Sequence, residues 1–131
     1  MAFSFKIENL IPTAVGLVFI SEGIQKFLFA SEVGAGRFEK IGVPFPEITG
    51  YVTGGIEIVA GLFLLLQFQR LIAASILLII MGGAVWFTKI PTLLTKGFWV
   101  TAHEGRTDFL MITGLLYTAY LSYTSKKKMV N

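Results

Sequence analysis

Eight ionisable residues carry whatever chemistry this chain has: Glu22, Lys26, Glu57, Lys89, His103, Glu104, Arg106 and Asp108. Glu22 and Glu57 fall inside apolar stretches of about 20 residues, which at ~1.5 Å per residue match the ~30 Å hydrocarbon core of a bilayer. Hydrocarbon offers neither water nor counter-ion, so a carboxylate there faces a bundle interior or cavity and takes a partner. Lys26 can donate hydrogen bonds, Glu57 can accept or exchange a proton, and His103 is the side chain whose charge switches most readily near neutral pH. Glu22 and Lys26 stand four residues apart, acid first, the favourable order for an ion pair on one helix face. Counted from the helix starts, Glu22 lies ~18 Å from one membrane face and Glu57 ~14 Å from the other, so both sit near mid-membrane. These placements predict a polar cavity floored by Glu22 and Glu57 and roofed by the His103–Asp108 segment. The plainer alternative makes Glu22 and Lys26 a snorkelling pair, Glu57 a packing acid, Lys89, Glu104 and Arg106 interfacial charges, and His103 an exposed loop residue.

Four apolar segments must position these groups, and their expected spans are about 10–29, 48–68, 71–89 and 107–125. The second, ITGYVTGGIEIVAGLFLLLQF, organises the others, because Gly50, Thr53, Gly54, Glu57 and Gly61 form a small and polar stripe at helical spacing. In the first span Thr13, Gly16, Ile20 and Gly23 make a similar seam, and the segment reads as an uncleaved signal anchor. Residues 30–46, with three glycines and the run VPFP, have the composition of a surface loop. The connection at Gln69 and Arg70 is so short that spans two and three are antiparallel neighbours. The third span carries Ala73, Ala74, Ser75, Gly82 and Gly83 for close packing, Trp86 and Lys89 as anchors, and Pro91 as its stop. Residues 91–106 form a second loop, and Thr107 and Asp108 open the fourth span.

The expected architecture is therefore an all-α, four-transmembrane-helix antiparallel bundle, a single integral membrane domain over residues 1–131, with the two longer loops on the non-cytoplasmic side. Lys126, Lys127 and Lys128 next to the last span put both termini in the cytoplasm. The composition agrees, at 54% hydrophobic residues and mean hydropathy +0.73. With no cysteine and one histidine, the 131 residues exclude a disulfide scaffold, a thiolate metal site, an iron–sulfur cluster and a two-histidine haem site within one subunit. The net charge of +3 is accounted for by lysines flanking a membrane span, so nucleic acid is not indicated.

Gly16 and Gly23 with Lys26, then GGIEIVAG, QRLIAASILLIIMGGA, KGFW and HEGRTDF, resemble the DoxX family of small four-helix membrane proteins over nearly the whole chain. The chain departs from that pattern at Lys89, where relatives carry histidine. The resemblance implies a bundle in a bacterial cytoplasmic (inner) membrane, acting as an accessory subunit of a membrane-associated oxidoreductase system and not as an enzyme by itself. It implies a quinone or lipid as ligand, with no covalently bound cofactor and no metal. The partners implied are the lipid bilayer, a membrane or peripheral redox enzyme, or a further copy of the chain. The alternative function is a non-catalytic scaffold or assembly factor whose small-residue faces hold other membrane proteins. An apolar bundle with a few convergent polar groups suits the quinone better, since its head can take hydrogen bonds from Lys26 or Glu57.

Overall fold

The structure, a computed structural model, describes residues 6–130, with side chains through Ser125. A 3-10 turn at Ile7–Asn9 leads into seven α-helices: α1 (Leu10–Leu28), α2 (Ala30–Val33), α3 (Ala35–Lys40), α4 (Pro46–Leu65), α5 (Arg70–Lys96), α6 (Phe98–Glu104) and α7 (Arg106–Val130). No strand occurs among the described residues. The Ile7–Leu28 segment, α4 and α5 are long and apolar enough to cross a membrane. α7 has the length, but its threonines, serines and tyrosines leave it less apolar than the other three.

The four long helices pack in a ring, α1 against α4 and α7, and α5 against the same two. Hydrogen bonds tie one end together. Arg70 donates to Asn9 Oδ1 at 2.8 Å, and the Tyr117 hydroxyl donates to the Glu8 carbonyl at 3.2 Å. The start of α1, the α4–α5 turn and the second half of α7 therefore meet at this end. At the opposite end the chain turns through α2 and α3 and through α6.

Glycine sets the tightest contact. A Cβ at Gly16 would stand 2.8 Å from the Gly61 carbonyl oxygen, and one at Gly23 would stand 2.5 Å from that of Gly54. The two contacting glycines on each helix, Gly16 and Gly23 on α1 and Gly54 and Gly61 on α4, are seven residues apart, about two turns, so α1 and α4 touch backbone to backbone at two levels. Gly50 takes the same role against α3, meeting Ala35, and Gly114 lets α7 approach Val15. Below the second glycine level the centre is dry: Phe19, Leu64, Ala74, Leu77 and Leu115 are almost wholly buried. The buried Thr118 hydroxyl donates to the Gly114 carbonyl of its own helix at 2.8 Å.

Several expectations are corrected. Pro91 does not stop the third long helix, which runs on to Lys96 and ends at Gly97, whose φ of +89° suits glycine. Proline removes only one backbone donor from a helix already well grown, and the side-chain hydroxyls of Thr92 and Thr95 donate to the carbonyls of Thr88 and Pro91, four residues back. The stretch 91–106 is consequently mostly helical, and α7 begins at Arg106, one residue earlier than expected. Residues 30–46 likewise form two short helices broken at Phe29 and Gly34. Of the glycines expected to pack, Gly82 and Gly83 have open space where a Cβ would point, as has Gly55 beside the α4 stripe. The Lys126–Lys128 cluster, on which sidedness was argued, has its side chains outside the described residues.

Gly23→Ala forces α1 and α4 apart and is expected to destabilise the protein by about 1–3 kcal/mol, as overpacking does. Gly55→Ala meets open space and gains helix propensity, so it is expected to hold or raise stability. Thermal unfolding of both variants in one detergent checks the pair; equal melting temperatures would remove the glycine contact as the determinant of the α1–α4 spacing.

Candidate functional site

Side-chain direction on the two closest helices decides which charges meet. In the antiparallel register given by the glycine pairs, whose residue numbers add to 77, Lys26 lies opposite Tyr51 and Glu57 opposite Ile20. Their Cα atoms are therefore about 9 Å apart along the bundle, six residues of rise. Helical side chains lean toward their own N-terminus, so Lys26 leans inward along α1 and Glu57 leans outward along α4, each toward the other. They meet with Lys26 Nζ 2.8 Å from Glu57 Oε1. Both residues are buried, at 8% and 4% exposure.

The expected Glu22–Lys26 pair does not form; α4 supplies the lysine's partner instead. Glu22 is only half-buried and keeps access to the cavity, whereas Glu57 is enclosed. Leaving a fully enclosed carboxylate alone costs more than leaving a half-solvated one, so the cation goes to Glu57. An ammonium has three donors and a carboxylate about four acceptor sites, so hydrogen-bonding capacity is left on both groups.

That capacity faces a cavity of about 440 Å³ between the four long helices, toward the end where α2, α3 and α6 lie. Its inner wall is apolar, from Val18, Phe19, Ile80, Met81 and Met111. Glu22, Lys26 and Glu57 form a polar belt above it, with Thr49, Thr53 and Thr88 between the charges. A second ion pair stands at the rim, Lys89 Nζ to Asp108 Oδ2 at 3.1 Å, joining α5 to α7. Val33, Arg37, Phe38, Ile41 and Val43 from the α2–α3 segment cover the top. Gly34 and Gly50 let that cover sit close: a Cβ at Gly34 would meet the Lys26 carbonyl at 2.5 Å, and one at Gly50 would meet Ala35 at 2.7 Å.

Of the eight residues singled out from the sequence, five line this cavity: Glu22, Lys26, Glu57, Lys89 and Asp108. The remaining three do not. His103 is exposed on α6; its carbonyl accepts a bond from Arg106, which fastens α6 to the start of α7. Glu104 borders a separate, shallower groove nearby. The roof is therefore the α2–α3 segment, with Thr107 and Asp108 reaching only the rim. Arg37, Thr49 and Thr88 were not singled out in advance, and Thr53 was expected only as part of the packing stripe. Arg37 stood among mixed charges in an apparent surface loop, and threonine at helical spacing also occurs as simple packing. Among the described residues no group of three or more His, Asp and Glu side chains is disposed to hold a metal ion.

Residues 11–90 match the DoxX family model. The chain is also similar to an uncharacterized membrane protein of Mycobacterium tuberculosis, with 45% identity over 109 residues, covering 79% of this chain and 67% of that one. No solved structure matches it.

Removing one member of a buried ion pair leaves an uncompensated charge, whereas removing both does not. Lys26→Met alone is expected to cost about 3–5 kcal/mol of stability, and the Lys26→Met, Glu57→Gln double variant to recover at least half of it. Unfolding of the wild type, both single variants and the double variant supplies the cycle; additive losses would mean that the two residues do not interact.

Proposed function

The chain belongs to the DoxX family of membrane proteins, and from that membership together with the cavity we propose that it holds an amphiphilic molecule between its helices in support of a membrane oxidoreductase. The cavity itself carries this proposal. Its 440 Å³ falls within the ~300–1,000 Å³ of small-molecule sites, with apolar walls and a few convergent polar groups. A quinone head suits the polar belt, its oxygens accepting from Lys26 and, once reduced, donating to Glu57. A lipid head with hydrogen-bonding oxygens is the rival ligand.

Phe19, Leu64, Leu77 and Leu115 fill the other half of the bundle, so the cavity does not run through its length. That favours a binding site over a pore. On this proposal α7 crosses the bilayer beside the other three long helices, supported by its packing against α1 and α5. The bundle then lies in a bacterial inner membrane with both termini cytoplasmic, supported by Lys126, Lys127 and Lys128. A C-terminal alkaline phosphatase fusion is expected to be inactive; an active one reverses the orientation.

Purified protein is expected to carry quinone or lipid that organic extraction and mass spectrometry can identify. Gly83 lines the cavity and has open space at its Cβ position, so Gly83→Phe introduces a bulky side chain at the site with no clash at Cβ. It is expected to lower retained ligand at least about tenfold while the melting temperature stays within a few degrees, as overpacking is avoided. Unchanged ligand content in Gly83→Phe and Glu57→Gln, with a protein that co-purifies stably, would favour the scaffold alternative.

A further inference from the structure

Next to the cavity mouth lies a second concavity, of about 350 Å³, between α3, α5 and α6. Three cations border it, Arg37, Lys40 and Lys89, against one acid, Glu104. Lys89 is engaged with Asp108. Arg37 and Lys40, in the last turn of α3, are exposed and have no acidic partner within salt-bridge distance among the described residues. One wall of the groove is apolar, from Ile41, Phe87 and Pro91. At the same end of the molecule Phe98 and Trp99, exposed and packed edge to face, have the character of residues at the membrane–water interface.

We propose that this groove binds the phosphodiester headgroup of an anionic membrane phospholipid, held by Arg37 and Lys40 with its first acyl segment against Phe87 and Ile41. Charge and position favour that occupant. The groove has excess positive charge at the end that carries the exposed Phe98 and Trp99, so a lipid phosphodiester there supplies the missing negative charge while its chain lies on the apolar wall. Arginine suits the site because its planar fork meets two phosphate oxygens at once. A neutral or zwitterionic lipid leaves the excess charge uncompensated. The groove adjoins the central cavity, with Arg37, Ile41, Phe87, Thr88 and Lys89 bordering both, and Lys40, Pro91, Thr92 and Glu104 belong to the groove alone.

Native mass spectrometry of the full chain in neutral detergent tests this, with phosphatidylglycerol and phosphatidylcholine of matched chains as probes. Wild-type protein is expected to retain phosphatidylglycerol in preference to phosphatidylcholine. Near the membrane surface each basic residue contributes roughly a fivefold effect, so Arg37→Gln with Lys40→Gln should reduce the preference about 25-fold or abolish it. Lys96→Gln, the same charge change on α5 away from the groove, should leave the preference in place. Glu104→Gln removes the opposing charge and should raise it. Equal retention of the two lipids by the wild type overturns the proposal, as does an equal loss in Lys96→Gln. Displacement of phosphatidylglycerol by millimolar inorganic phosphate would assign the groove to a soluble anion and overturn the lipid.

Discussion

The close approach of α1 and α4 is the constraint from which the site follows. Glycine facing glycine at two levels brings the backbones near enough for Lys26 to reach Glu57, and a carboxylate as enclosed as Glu57 needs that cation. The two features depend on each other. Separating the helices would strand the charges, and removing one charge would leave the other in a medium that cannot solvate it. Apolar packing alone would hold these helices with less regard to register, because leucine against leucine is nearly as favourable one turn along, whereas a buried ion pair is not.

The ring of helices is divided across its length. One half is dry, filled by Phe19, Leu64, Leu77 and Leu115; the other encloses charged groups around an open volume. A bundle built only for stability would fill that volume, since voids forfeit dispersion contacts. Keeping it open beside unused hydrogen-bonding capacity suits a molecule that is apolar over most of its surface and polar at one end. The α2–α3 segment then acts as a cover whose position is set by Gly34 on the end of α1 and Gly50 on α4. Arg37 of that cover faces both the cavity and the neighbouring basic groove, so the two concavities share a wall.

The long helices, the small-residue stripe on α4 and the sheltering of Glu57 were legible in the residues, because apolar runs and helical spacing are local properties. The partner of Lys26 was not. Glu22 at four residues and Glu57 on another helix are both plausible from spacing, and only burial, 4% exposure for Glu57 against a half-buried Glu22, separates them. The passage of α5 through Pro91 was equally hidden, since proline is read as a stop from one lost hydrogen bond while the rest of the turn can hold the helix. Gly82 and Gly83 show the converse. Their composition suggests contact, yet nothing lies against them.

The amino-acid sequence by itself determined that this chain is helical, belongs in a bilayer and carries acids that must be sheltered there, because hydropathy and period act over neighbouring residues. Which shelter they take was decided only in three dimensions. Pairing Lys26 with Glu57, Lys89 with Asp108, and turning Arg37 toward the cavity each depend on helix register and on side chains leaning toward their own N-termini, relations between segments far apart in the chain.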